Sequence, residues 1–352
     1  MKTTLLALLF AAIAGSAVAA EPDYRAINAD ATKRHILPRY AALAEATGKL
    51  GDAATAFCAA PAATRIAPLQ AAWRQGMAAW QAAQHLRFGP VEYFNRLPRF
   101  AFWPDPRNVT QRQLAELFAK RDAETMTQQK LVSGSVAIQG FSALERELFD
   151  QAEIAKLAAE PFRCQWLKVV TANIAAMARD IQADWNGPPQ DFATKYLKAD
   201  GDGSQYHQPS EATLDLFKSV YTAVELVADH KLARPLADKL ADARPRLAES
   251  WRSEASLDNI RANLAAARDL YVSLEPGVPD AALRGEIVQG FDTAIASVAG
   301  VTMPLEKAVA DVGARPSVEK LRRDASALKR LLAEKLAPAL GLPLGFNALD
   351  GD

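Results

Sequence analysis

The stretch Val136-Ala-Ile-Gln-Gly-Phe-Ser-Ala-Leu-Glu-Arg-Glu-Leu-Phe149 carries the periodicity on which the reading of the whole chain rests. Ala137, Phe141, Leu144 and Leu148 recur at the spacing of one helix face and predict a helix with a buried stripe. The adjoining row, Ile138, Ser142, Glu145 and Phe149, sets a hydroxyl and a carboxylate three residues apart between two large apolar side chains. The opposite row, Gln139, Ala143, Arg146 and Asp150, reads as solvated. Burial disfavours a charged carboxylate, so Glu145 on the flank of an apolar stripe needs a partner or a proton. A core-edge glutamate satisfied by an arginine or a backbone donor meets that need, and the row alone favours it over a functional carboxylate.

Outward from this stretch the chain reads as helix after helix, with no strand alternation and no Asn-Gly hairpin. A first helix is predicted from Asp23 to Leu50, kinked at Pro38 and closed by Gly51-Asp52. A second runs from Pro61 to Phe88, striped by Ile66, Leu69, Trp73, Met77 and Trp80 and stopped by Gly89-Pro90. Residues 89–134 are irregular by pattern and dense in aromatics, as expected of a loop that covers the core or walls a cavity, with a short helix over Gln111 to Ala119. Phe162 to Trp185 is the next long helix. The second half shows apolar stripes at Leu214–Ala228, Leu257–Ala267, Leu283–Ala294 and Leu321–Leu336. The expected fold is all-α, two related antiparallel helical bundles packed side by side. The Gly-, Pro- and Asp-rich stretch after Trp185 marks the boundary: an N-terminal bundle over 21–190, a linker over 191–209 and a C-terminal bundle over 210–352.

Residues 1–20 have a basic start, an apolar run too short to span a bilayer and an Ala-x-Ala end, the pattern of a secretory signal peptide. No later segment is apolar for long enough to cross a membrane. Lys plus Arg and Asp plus Glu balance at 41 each, which gives no electrostatic case for nucleic acid. In an oxidising compartment the only two cysteines, Cys58 and Cys164, are better read as one disulfide than as two buried thiols.

The four histidines, His35, His85, His207 and His230, show no helical ligand spacing and no H-E-x-x-H, so zinc-peptidase chemistry has little support. Each reads as a surface or packing residue. Asp200 to Glu211 places oxygens as a calcium loop would, but Gln205 stands where that loop needs glycine and Pro209 intrudes. A solvated linker, with Ser210 capping the next helix, is the better reading. There is no phosphate-binding glycine loop and no nucleophile elbow around Ser142.

Gly140-Phe-Ser-Ala-Leu-Glu145 resembles the G-x-H-x-x-E motif of the imelysin family, with Ser142 at the histidine. Trp80-Gln81 with Leu86 to Pro90, Phe102-Trp103-Pro-Asp105, Trp251-Arg252-Ser253 and the terminal Gly345 to Asp352 resemble further family elements in the same order, over nearly the whole chain after residue 20. That family comprises bacterial cell-envelope proteins, first described as peptidases and more often linked to iron uptake. The resemblance implies two helical bundles with Glu145 facing a shared cleft. The polar residues expected there are Ser142, Arg87, Asp105, Glu225, Arg252, Ser253 and Asp350, with Trp103 from the aromatic loop; ordinary surface salt bridges are the plain alternative. It also implies a periplasmic protein that binds in iron or metal acquisition. An exported peptidase and a helical adaptor for an envelope partner are the other readings. With the histidine replaced, Glu145 is left as the metal candidate, and its oxygens suit a hard ion such as ferric iron or calcium.

Overall fold

The computed structural model describes residues 21–188, 190–201 and 205–342, and every regular element among them is helical. The expected export signal over 1–20, and Asp350, lie outside the described residues. In chain order the α-helices are α1 (Tyr24–Ala31), α2 (Leu37–Ala59), α3 (Ala67–Gln81), α4 (Arg96–Phe100), α5 (Val109–Lys120), α6 (Gln128–Ser133), α7 (Gly140–Phe149), α8 (Gln151–Ala159) and α9 (Pro161–Asn186). They continue as α10 (Phe192–Lys198), α11 (Pro209–Glu225), α12 (Ala233–Leu236), α13 (Ser256–Leu274), α14 (Ala281–Ala299), α15 (Leu305–Ala308), α16 (Arg315–Leu331) and α17 (Ala337–Ala339). No described helix is long and apolar enough to cross a membrane.

Helix α2 packs along α9 and α3, while α13 packs on α11 and α14, and α14 on α16. Two further contacts tie these groups together: α1 lies against α11 and α13, and α3 against α13. The core is continuous through all of them, from Tyr40, Trp73 and Trp166 to Tyr271 and Phe291.

Several boundaries differ from the sequence reading. The first long helix is broken by a π-type turn over Thr32–Ile36, and Pro38 then falls in the first turn of α2, where a missing N–H costs nothing. Gly51 does not close α2, which runs on to Ala59 because Ala54 and Phe57 are buried and Cys58 is anchored. Helix α3 spans only Ala67–Gln81, and the aromatic segment after it contains α4, α5 and α6 rather than one short helix. Pro209, not a capping Ser210, begins α11 behind an extended Gln208. Cys58 and Cys164 are joined by a disulfide with Cα atoms 5.6 Å apart, fastening the end of α2 to the start of α9.

The motif stretch is itself in two pieces. A 3-10 turn over Val136–Ile138 and an extended Gln139 precede α7, which starts at Gly140. Gly140 has φ +84°, and a Cβ there would lie 2.4 Å from the Arg99 carbonyl oxygen and 2.5 Å from that of Phe100, so only glycine fits. The predicted stripe of Ala137, Phe141, Leu144 and Leu148 is buried. The row expected to be solvated is not: Gln139 and Ala143 are fully buried, because α7 is flanked by α3, α4 and α9. Gln139 accepts from Arg99 Nε (3.2 Å) and Asn173 Nδ2 (3.1 Å) and donates to the Leu131 carbonyl (3.0 Å), which fixes the entry to the helix.

Candidate functional site

Three backbone segments meet at a cavity of about 460 Å³ beside the middle of α7. From α7 come Ser142, Glu145 and Arg146, with Asp150 just beyond its end; from the aromatic segment come Phe102, Trp103 and Asp105; from the second half comes the run Arg246 to Arg252. Phe100 is buried in the core, where it stacks on Trp80 at 4.5 Å, and Phe102 and Trp103 after it line the cavity. Asp105 is spent on structure: its two oxygens accept the Val109 and Thr110 N–H groups at 2.8 and 2.9 Å and cap α5. Asp150 likewise accepts the Ala152 N–H at 3.0 Å and caps α8.

Glu145 is 5% exposed, and one oxygen accepts both the Ser253 N–H and the Ser253 hydroxyl, each at 2.9 Å. The bond spans 108 residues and ties α7 to the turn before α13. That turn is tight, with Ser250 and Glu254 both at positive φ and the Ser250 carbonyl accepting from Ser253 Oγ and the Ala255 N–H. Burial pushes the Glu145 carboxyl above the usual carboxylate range; the two Ser253 bonds and the nearby Arg252 charge oppose this, and Glu249 adds to it.

Behind the cavity lies a buried polar lattice that the sequence reading did not find. Lys231, 1% exposed, donates to Glu249 and to Gln81, both at 2.6 Å. Glu249 also accepts from Gln81 and Asn259 at 3.1 Å, and Asn263 donates to the Gln81 carbonyl at 2.8 Å. This lattice joins α3, the π-type turn after α11 and α13. Every partner is distant in sequence, so no local spacing announces it.

The arginines are arranged differently. Arg146, Arg246 and Arg252 make no ion pair and no side-chain hydrogen bond among the described residues. Arg252 stacks its guanidinium over Trp251 at 4.3 Å, Arg246 lies 5.6 Å from the same ring, and the Arg252 Nε is buried without a partner. Burial lowers Arg252 below the usual guanidinium range, and the like charges of Arg146 and Arg246 lower it further, against attraction from Glu145 and Asp150.

Of the residues singled out from sequence, Ser142, Glu145, Trp103, Asp105 and Arg252 therefore share the cavity, with Ser253 behind it as the partner of Glu145. Arg87 and Glu225 are not at this cavity. Glu225 attracts Arg87, which lines a second cavity of about 270 Å³ with His85, Glu92 and Asp215. Asp350 lies outside the described residues. The sequence reading took Arg146 for a solvated residue and passed over Arg246; both belong to the cavity. It also treated His35 and His85 as unrelated, whereas their Nε2 atoms meet at 2.9 Å in the core.

The residues at Glu145 do not fit a directly bound ion. Asp105 and Asp150 cap helices, Glu249 is held by Lys231, and among the described residues no three His, Cys, Asp or Glu side chains gather as a donor set. Among the described residues Glu145 bridges α7 to Ser253, one oxygen taking both Ser253 donors.

A family model described as imelysin, Peptidase_M75, matches residues 36–332. Among solved structures, an imelysin-like protein from Psychrobacter arcticum is similar over 93% of this chain and 100% of its own, with 20% identity and a TM-score of 0.74. A "putative iron-regulated protein A precursor" from Parabacteroides distasonis is similar over 90% of this chain and 95% of its own, with 17% identity and a TM-score of 0.75. No curated protein matches.

Proposed function

This chain belongs to the imelysin family, and we propose that it is an exported binding protein serving iron acquisition, with its ligand site in the cavity where α7 faces the turn before α13. In this reading the two halves, divided over 191–209, are two bundles, and the cavity is the cleft between them. The observation that carries it is the cavity itself: a buried carboxylate held across the cleft by Ser253, beside three arginines with no ion pair or side-chain hydrogen bond among the described residues, under a Trp103 and Trp251 wall. Polar groups converging in a concave, partly aromatic site are what a small ligand needs. The name of the Parabacteroides relative supports the iron association, and the start of the chain supports export to the periplasm.

The test is native mass spectrometry of the protein isolated from the envelope fraction of iron-fed cells. A small adduct that disappears in Arg252→Ala supports the reading. A bare mass together with chelator-sensitive cleavage of casein, lost in Glu145→Ala, would replace it with the peptidase reading. A bare mass with co-purification of an envelope protein would favour the adaptor.

A further inference from the structure

The cleft contains seven ionisable side chains, and their uses are unequal. All four carboxylates are engaged by protein donors: Asp105 and Asp150 by helix N-termini, Glu145 by Ser253, and Glu249 by Lys231, Gln81 and Asn259. The three guanidiniums have no acceptor among the described residues. Arg146, half-buried on α7, and Arg252, half-buried on the opposite segment, reach the cavity from its two sides. Arg246 is exposed at its rim and shares the Trp251 face with Arg252. Arg146 and Arg246 repel Arg252 while Glu145 and Asp150 attract it, yet none of the three guanidiniums spends its donors on a protein acceptor among the described residues, so those donors are left to an incoming anion. Guanidinium presents a planar fork of donors matched to paired oxyanion oxygens, and stacking on Trp251 orders Arg252 before any ligand arrives.

We infer that the cleft takes a small oxyanion with at least two acidic groups, gripped by Arg146, Arg246 and Arg252, so that any iron enters as the anionic chelate and not as a bare ion. This rests on the cavity being the ligand site, as proposed above. It removes the conflict between an iron-linked family and a cavity without an ion's donor set: the ligand's own oxygens hold the hard cation, and the protein holds the ligand. Glu145 then serves as a positioning residue, keeping the Ser253 turn, and with it Arg252, against α7.

Calorimetric titration of the full mature protein with citrate, ferric citrate, pyrophosphate and calcium chloride tests this. Citrate or ferric citrate should bind, calcium alone should not, and the affinity should fall as salt rises from low to high ionic strength. Arg252→Ala and the surface variant Arg246→Ala should each weaken binding tenfold or more, with Arg252→Lys recovering only part. Because Arg246 is exposed, its variant keeps the fold and keeps the test decisive if Arg252→Ala is unstable. Pyrophosphate binding without citrate binding would identify a phosphoryl oxyanion, still through the same arginines. Calcium binding that depends on Glu145, with silent oxyanions, overturns the inference but leaves the cleft as a ligand site. Oxyanion binding unchanged in both arginine variants also overturns it. Silent probes together with a bare native mass remove both the inference and the proposed site.

Discussion

Glu145 and Glu147 lie two residues apart on one helix and are both buried, at 5% and 1% exposure, yet their surroundings are opposite. Glu147 hydrogen-bonds Arg163, whose same guanidinium nitrogen reaches Glu153 at 2.7 Å and whose charge rests 4.1 Å from the Phe118 ring. Burial pushes the Glu147 carboxyl up to about 7 even against the opposing pull of Arg163. The next residue, Cys164, is fixed by its disulfide to Cys58. This side of α7 is closed, with each charge answered inside the protein. Across the helix, Glu145 is hydrogen-bonded by a neutral serine, and the nearby Arg252 acts on it through its charge alone, with no ion pair or hydrogen bond. A buried charge bonded within the protein reports on folding; guanidinium donors left without an acceptor beside a cavity report on what the cavity takes.

The closed side should carry most of the stability. Removing the bridge with Cys58→Ser and Cys164→Ser frees a loop with a sequence separation of 106, for which chain entropy gives a loss on the order of 4–5 kcal/mol at best. Urea unfolding measures it, and a loss near zero would show that the α2 and α9 packing holds that face without the bridge. Arg163→Ala strands the buried Glu147 and should cost about 3–5 kcal/mol. Arg246→Ala in the cleft should cost under about 0.5 kcal/mol, since the residue is exposed and has no ion pair. Equal losses for the two arginines would erase the distinction between the faces.

A third buried pair extends the comparison to neutral groups. His35 and His85 meet Nε2 to Nε2; burial, with Arg39 beside it, lowers His35 to about 3, and burial, His35 and Arg39 lower His85 well below its ordinary range. The folded state therefore holds both rings neutral, while the unfolded chain takes up protons near pH 6.5. Stability present above that pH is lost as pH falls from about 6.5 toward the depressed folded values. At pH 5 the loss from His35 is on the order of 2 kcal/mol, and His85 adds to it in the same direction. Denaturation at pH 7 and pH 5 measures it, and a His35→Gln, His85→Gln variant should flatten the slope. An equal slope in that variant would assign the acid sensitivity to the carboxylates instead.

What the sequence made legible follows from how far apart the interacting residues are. The stripe Ala137, Phe141, Leu144, Leu148 is local, and periodicity alone finds it. The disulfide was legible because a chain with only two cysteines leaves one pairing. Ser142 and Glu145 stood out by motif, and Asp105 and Arg252 by resemblance, but their partners did not. Ser253 lies 108 residues from Glu145, and the His35–His85 contact spans 50. Gln139 was misread because a helical row was extended through a residue whose backbone is extended, and Arg146 because a partly covered arginine has the same periodicity as a solvated one. Gly140 held both meanings, motif member and helix start, and only the carbonyls of Arg99 and Phe100 show why it must be glycine.

A small effect at Glu145 is the most discriminating. Glu145→Gln keeps an amide oxygen where Ser253 N–H and Oγ donate, so the bridge survives with neutral acceptors, and it removes a carboxyl whose ionisation burial already disfavours. Stability should change by less than about 1 kcal/mol. Glu145→Ala, by contrast, leaves the Ser253 N–H without a partner, while the hydroxyl keeps the Ser250 carbonyl, and should cost about 1–3 kcal/mol. If the carboxylate matters only as the holder of the turn, citrate affinity follows the bridge: retained or improved in Glu145→Gln, weakened in Glu145→Ala. If Glu145→Gln destabilises as strongly as Arg163→Ala, then the charge of Arg252 is committed to Glu145, the cleft face is closed like the other, and the unused guanidinium donors that separate the two sides of α7 are not available to a ligand.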